Sequence, residues 1–183
     1  QRGAEFKRCL KEQGKRTWDF RSRVGKKGES GSDAENREIA AWLEALPKPV
    51  GVFACYDGRA QQVLEACQLL GLHVPDEVAV LGVDNDEVLC ELCSPPLSSV
   101  QPNARRTGYE AAAMLARMMQ GEKTVGAETR YVEPVRVVER QSTDVVSVAS
   151  VVVAVVASVV STSVSVTWLD STVMTRSPSL GWM

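Results

Sequence analysis

The chain has 183 residues, of which 44% are hydrophobic and 24% are charged, as is typical of a globular domain with a buried core. Its net charge of -2 argues against a basic nucleic-acid-binding surface. Nine Lys or Arg residues lie between Lys7 and Lys27, but such a run usually forms a solvated face. Five cysteines, with no export signal at the start, favour reduced thiols and a cytoplasmic protein.

The first part of the chain predicts two helices joined by a loop. Residues 3–14 and 32–46 each carry apolar side chains at helical spacing, and a glycine or a proline stands at the end of each segment. Residues 16–30 are polar and contain glycine, so we expect mainly a loop there, with a short strand near residues 18–20.

The middle of the chain predicts a βαβ unit. Residues 50–56 are a short apolar run, typical of a strand that is buried on both faces. Asp57 follows it and is expected to cap a helix that ends at Gly71. Residues 78–83 form a second apolar run, so the order strand, helix, strand predicts a parallel sheet. The predicted fold class is α/β, with a parallel sheet flanked by helices.

The second half of the chain changes character twice. We expect a long helix over residues 103–120 and a final strand over residues 131–138, where Pro134 indicates an edge or a bulge. Residues 145–166 contain only Val, Ala, Ser and Thr. A membrane span of this length is conceivable, but the absence of Leu, Ile and Phe makes it a poor one. We therefore expect a disordered or irregular tail, with a shifted reading frame as the favoured explanation, and no membrane contact.

Polar residues stand just past both buried strands. Asp57 and Arg59 follow the first strand, whereas Asp84 and Asn85 follow the second. Ligands of open parallel sheets bind beyond the carboxyl ends of the strands. Carboxylates placed there can accept charge-assisted hydrogen bonds from a sugar, and Arg59 can donate to sugar oxygens or neutralise both carboxylates. The alternative is that Asp57 is only a helix cap and Asp84 only a turn residue, but their placement at two strand ends favours the sugar site.

Groups for catalysis or for metal binding are scarce. His73 is the only histidine and lies in a predicted exposed turn. Cys90 and Cys93 have the spacing of half a zinc site, without a second pair to complete it, so we expect them to pack on a short helix. We therefore expect no enzyme activity, no metal site and no cofactor.

Several segments resemble the sensor domains of the lactose-repressor (LacI/GalR) family. They are GLHVPDEVAVLGVDN at residues 71–85, PLSSV at residues 96–100 and GYEAA at residues 108–112. Within that family, the segments DGRA, GVDNDE and PVRVVERQSTD, which begin at Asp57, Gly82 and Pro134, are similar to those of a pentose-operon regulator. The resemblance covers about residues 1 to 144.

The resemblance implies part of a periplasmic-binding-protein-like fold of type I, whose two lobes close around a sugar. It implies that Asp57, Asp84 and Arg2 contact the sugar, with Asn85 as a further candidate and D-xylose as the favoured pentose. It also implies a possible homodimer and a transcription regulator that binds DNA through an AraC-type domain, of which this sequence shows no recognition helix.

The resemblance also divides the chain. We expect residues 1–97 to form one lobe, and residues 98–144 to supply a crossover, one helix of the other lobe and a returning strand. Residues 145–183 are expected to lie outside the domain. The cleft would then have one complete wall. Two alternatives stay open: a sugar-binding transport protein with the same fold, and a truncated remnant without function.

Overall fold

The computed structural model describes residues 2–21, 32–121, 130–144 and 152–157. Within these ranges the helices are α1 (Arg2–Glu12), α2 (Ser32–Glu44), α3 (Asp57–Leu70), α4 (Glu87–Leu92) and α5 (Ala104–Met119), with a 3-10 turn at Gln141–Thr143. The strands are β1 (Thr17–Arg21), β2 (Val50–Ala54), β3 (Val78–Val83), β4 (Ser98–Gln101), β5 (Arg136–Val138) and β6 (Val152–Ala157).

The strands form one sheet in the order β1-β6-β2-β3-β4-β5. Neighbouring strands are parallel, apart from β4 and β5, which are antiparallel. Helix α3 connects the parallel neighbours β2 and β3, as the βαβ pattern predicted. The predicted α/β class, with helices against a mainly parallel sheet, is confirmed.

Helices cover both faces of the sheet. Each face has its own core, because successive side chains of a strand point to opposite faces. Val52 and Val80 belong to the larger core, which also contains side chains of α2 and α3. Phe53 and Val83 instead pack with Phe6 of α1. The ring centroids of Phe6 and Phe53 lie 4.3 Å apart in a stacked arrangement. Since both faces are covered by apolar packing, the ends of the strands remain as the places where polar groups can meet a ligand.

Most predicted elements are confirmed, with differences in length. The short strand expected near residues 18–20 is β1, and α3 ends at Gly71, whose φ of 67° is the left-handed conformation of a helix C-terminus. The last predicted strand is shorter than residues 131–138. It begins at Arg136, opposite Gln101 at the end of β4, and Pro134 just before it has no amide hydrogen with which to extend the pairing.

The backbone of β6 lies between β1 and β2 and is parallel to both. This position differs from the expectation that residues 145–183 lie outside the domain. A segment of Val and Ala readily adopts extended structure. The backbone groups of β1 and β2 that face each other would have no strand partner if such a segment did not lie between them. The rest of the predicted tail lies outside the described residues, and the domain boundaries stay predictions.

Helix α5 stands apart from the two cores. None of its residues is buried, and Leu115, Met118 and Met119 are exposed. Its assignment to a second lobe stays a prediction. None of the helices in the described ranges combines the length and the apolar character that crossing a membrane requires.

Candidate functional site

The carboxyl ends of β2 and β3 meet at one edge of the sheet, since the two strands are parallel neighbours. Asp57 follows β2 and Asp84 follows β3. The amide of Asp86, two residues after Asp84, donates a hydrogen bond of 2.8 Å to the Asp57 carboxylate, whose negative charge helps to raise the pKa of Asp84. The two carboxylates therefore lie on the same side of the molecule, as the hypothesis of a shared site requires.

Arg2, the first residue of α1, reaches across to this edge. Its Nη1 atom lies 3.3 Å from Oδ1 of Asp84, a residue 82 positions later, and also donates a hydrogen bond of 2.7 Å to the carbonyl oxygen of Cys55. The side chains of Arg2 and Asp84 remain 31% and 47% exposed. The pair therefore presents a charged donor and a charged acceptor to solvent.

The backbone after β3 has an unusual conformation. Asp84 has a φ of 110° and Asn85 a φ of 51°, both positive although neither residue is glycine. Burial raises the pKa of the Asp84 carboxyl above its ordinary value, while the neighbouring Arg2 partly opposes this shift. A strained backbone and a partly desolvated carboxylate are features that cluster at ligand sites.

The buried carboxylate of Asp57 holds this edge of the sheet together through hydrogen bonds. It is 3% exposed, and both carboxylate oxygens have partners: Oδ2 accepts from the amide of Asp86 at 2.8 Å, and Oδ1 accepts from the hydroxyl of Ser99 at 2.6 Å. The prediction that Asp57 caps α3 is wrong. Tyr56 occupies the cap position without a side-chain hydrogen bond, because the Asp57 carboxylate turns toward the loop after β3.

Gly82 makes room for the Asp57 side chain. A Cβ atom at position 82 would lie only 2.3 Å from Oδ1 of Asp57 and 3.3 Å from a methyl carbon of Leu97. The glycine in the segment GVDN therefore allows the carboxylate to lie directly over β3. This close approach explains how Asp57 reaches β4 as well as the loop.

Asn85 faces inward rather than toward solvent. It is 9% exposed, its amide donates to the Ser99 hydroxyl at 3.0 Å, and its side-chain oxygen accepts from Nη1 of Arg140 at 3.1 Å. Ser99 thus connects Asn85 with Asp57, since the same hydroxyl donates to the Asp57 carboxylate. A direct contact between Asn85 and sugar stays a prediction.

Arg59 does not join the two carboxylates, as the prediction that it neutralises them required, whereas the alternative that it donates to sugar oxygens stays a prediction. Its guanidinium is 4% exposed and pairs with Glu35 of α2, with 2.9 Å between Nη2 and Oε1. It also lies over the ring of Tyr56, 5.9 Å from the centroid. Because Arg59 lies in the first turn of α3 and pairs with Glu35 of α2, it belongs to the packing between these helices rather than to the surroundings of Asp84.

The two cysteines at α4 pack against the protein core, as the sequence predicted. Cys90 is fully buried in the larger core, and Cys93 at the end of the helix packs against that core. Burial raises the pKa of the Cys90 thiol to about 12. The expectation of packing residues is confirmed.

Two residues of this network, Ser99 and Arg140, were missed as functional candidates. Their partners lie far away in the chain, since Ser99 is 42 residues from Asp57 and Arg140 is 55 residues from Asn85. The available signal was the family resemblance, because both residues fall within the segments PLSSV and PVRVVERQSTD.

A polar concavity lies at the start of α5, away from the Arg2–Asp84 pair. It encloses about 720 Å³, and its lining includes Asn103, Arg106, Glu110 and Arg130. Glu110 pairs with both arginines, at 2.5 Å from Arg106 and 2.8 Å from Arg130. The two arginines are thus paired with Glu110, and none of the predicted site residues lines the concavity.

Comparisons with known proteins identify the family of this domain. Residues 1–143 match the sequence family of the periplasmic binding protein-like domain. The xylose operon regulatory protein of Escherichia coli strain K12 is 41% identical over 116 residues, which are 63% of this chain and 29% of that protein. Its Haemophilus influenzae counterpart is 37% identical over 110 residues, which are 60% of this chain and 28% of that protein. The matched segment thus spans less than a third of the length of these relatives.

Solved structures show the same fold. That of a xylose-binding transcription activator has a TM-score of 0.60 and 28% identity, covering 81% of this chain and 47% of that chain. A LacI family regulator from Arthrobacter sp. FB24, in complex with lactose, has a TM-score of 0.55 and 23% identity, covering 78% and 63%. These matched relatives are transcription regulators rather than enzymes, which confirms the resemblance drawn from the sequence. The chain belongs to the periplasmic binding protein-like domain family.

Proposed function

We propose that this chain is the sugar-binding part of a transcription regulator, and that its ligand is a pentose, D-xylose. The observation that carries the proposal is the exposed Arg2–Asp84 pair at the carboxyl edge of the parallel sheet. The choice of a pentose is supported by the similarity of this chain to regulators that are named for xylose. A transport protein with the same fold was the sequence-based alternative, and the matched relatives favour regulation instead.

The chemistry of the pair suits a small polyhydroxy ligand. The Asp84 carboxylate can accept hydrogen bonds from two vicinal hydroxyls, and the Arg2 guanidinium can donate to the oxygen of a hydroxyl or of the sugar ring. The bond from Arg2 to the Cys55 carbonyl holds the guanidinium in place before sugar arrives. Asp57 has no free oxygen to offer in this state, so we assign it the role of holding the loop that carries Asp84.

Sugar would act by favouring one conformation of the regulator over another rather than through a reaction. A ligand shifts such an equilibrium only by as much as its affinity differs between the two states. We propose that contact with DNA is made by another domain of the regulator, in the cytoplasm. Assembly as a homodimer also stays a proposal.

Isothermal titration calorimetry of the full chain with D-xylose tests this function. The described residues approach the ligand from one side, so we expect a dissociation constant of about 1 mM, equivalent to roughly 4 kcal/mol. Asp84→Ala should weaken binding about tenfold, since it removes a charged acceptor. Asp76→Ala is the matched control, because this exposed aspartate precedes the opposite end of the same strand.

Each outcome bears on a different part of the proposal. Heat with D-xylose that Asp84→Ala weakens and Asp76→Ala leaves unchanged supports it. Heat with D-ribose or L-arabinose but not with D-xylose would overturn the choice of sugar alone. Equal binding in both variants would show that the site lies elsewhere.

A further inference from the structure

The side chain of Arg140 contacts the loop that carries Asp84. It is 10% exposed, and its Nη1 atom donates to the side-chain oxygen of Asn85 at 3.1 Å and to the carbonyl oxygen of Leu97 at 2.9 Å. Its Nε atom donates to Oε1 of Glu91, on α4, at 2.6 Å. One guanidinium thus joins the loop after β3, the start of β4 and the helix that follows the loop.

The backbone around Arg140 is itself held firmly. Its amide donates to the Ser98 hydroxyl at 2.7 Å. The Ser142 hydroxyl accepts from the amide of Ser98 at 2.8 Å and donates to the carbonyl oxygen of Val80 at 2.7 Å. Because these bonds are buried or partly buried, the segment provides a fixed base from which the guanidinium acts.

The loop above it needs such a support. Asp84 and Asn85 both have positive φ, a conformation that persists only where surrounding contacts impose it. Ser99 holds the amide of Asn85, and Arg140 holds its side chain. If the guanidinium were removed, the buried side-chain oxygen of Asn85 would lose its donor. The loop could then relax, and Asp84 would move away from Arg2.

We propose that Arg140 is a positioning residue for the sugar site: it touches no sugar, but holds the Asp84–Asn85 loop in the conformation that binds. The inference rests on the proposed function for its effect on sugar affinity. Its effect on the loop does not depend on any ligand, so the two can be tested separately.

The first test compares D-xylose affinity among variants of the full chain. Arg140→Met removes the donors and keeps an apolar stem, and we expect about tenfold weaker binding. Arg140→Lys keeps the charge and should recover part of this loss. Arg136→Met is the matched control, since Arg136 lies exposed on β5, where its side chain donates a hydrogen bond to Gln101, and the affinity of this variant should stay within about twofold of the unaltered chain. The combination of Asn85→Ala with Arg140→Met should bind less weakly than the two separate losses would add up to, because the two variants share the bond between Arg140 and Asn85.

The second test measures amide hydrogen exchange in the sugar-free chain. Arg140→Met should speed exchange at Asn85 and Asp86 about tenfold more than at Val52 in the core, whereas Arg136→Met should not. Unchanged affinity in Arg140→Met would overturn the inference, and so would faster exchange spread evenly over the sheet, which indicates a general loss of stability. If the unaltered chain binds no pentose, the proposed function fails, and the exchange pattern alone decides whether Arg140 positions the loop.

Discussion

The amide of Asp86 donates a hydrogen bond of 2.8 Å to Oδ2 of Asp57, and this bond ties the end of β2 to the loop after β3. The same carboxylate accepts from Ser99 of β4, so one buried side chain connects the end of β2, the loop after β3 and β4. The pair explains why a residue expected to cap a helix, and to meet the sugar, is enclosed within the protein.

Replacing Asp57 by Ala should destabilise the protein. The change leaves the Ser99 hydroxyl and the Asp86 amide without their charged partner in a buried place, so we expect the free energy of unfolding to fall by roughly 2–4 kcal/mol. Urea denaturation followed by circular dichroism measures this loss. Asp57→Asn keeps one acceptor and should cost less. A change below about 0.5 kcal/mol in Asp57→Ala would contradict the role of these bonds.

Gly82→Ala should be harmful although it adds one methyl group. The new Cβ would lie 2.3 Å from Oδ1 of Asp57, so the carboxylate must move, and we expect a loss of roughly 1–3 kcal/mol. Gly108→Ala is the control, because nothing lies within 4 Å of its Cβ position and alanine favours the helix around it. Thermal unfolding of both variants should therefore show changes of opposite sign.

Asp84→Asn should separate binding from stability. Burial raises the folded-state pKa of Asp84, so the folded chain holds this proton more tightly than the unfolded chain, and ionisation costs stability as the pH rises through the raised pKa. The variant avoids that cost. We expect it to bind D-xylose about tenfold more weakly while melting no lower than the unaltered chain at pH 7.

The pH dependence supplies the check on Asp84. The melting temperature of Asp84→Asn, relative to the unaltered chain, should decrease as the pH is lowered through the raised pKa toward the ordinary range of an aspartate. A relative gain that grows as the pH falls would contradict the burial of this carboxyl.

Val155→Pro should test the place of β6. Val155 pairs with Asp19 on one side and Phe53 on the other, so its amide faces a neighbouring strand in either orientation. Proline removes that donor from a strand inside the sheet, and we expect a loss of about 3 kcal/mol or more. Val155→Ile keeps both the amide and the branched side chain, and should melt near the unaltered chain. Equal melting of the two variants would exclude β6 from the folded domain.

The βαβ unit at the centre of the fold could be predicted because its strands and its helix are marked by residues that lie within each element or next to it. The apolar runs of β2 and β3 are bounded by turn residues, and Gly71 marks the end of α3. The place of β6 could not be predicted in this way. It depends on pairing with β2 and β1, whose partner residues lie 102 and 136 positions earlier in the chain, and its Val-rich composition fits a sheet as well as a tail.

The site was predicted only in part for the same reason. The position of Asp84 after a buried strand indicated the edge of the sheet where it lies beside Arg2, whereas Arg2 entered only through the family resemblance. The inward turn of Asp57 depends on the absence of a side chain at Gly82, and the pairing of Arg59 depends on Glu35 of another helix. Such choices between partners are decided by packing, which local sequence does not record.

Nuclear magnetic resonance of the nitrogen-15-labelled chain during a D-xylose titration tests the central claim most directly. The account predicts saturable shifts of the amides of Arg2, Cys55, Asp84 and Asn85, all fitting one dissociation constant. Shifts confined to the concavity around Asn103 and Arg130, with these four amides unmoved, would contradict a sugar site at the carboxyl edge of the sheet.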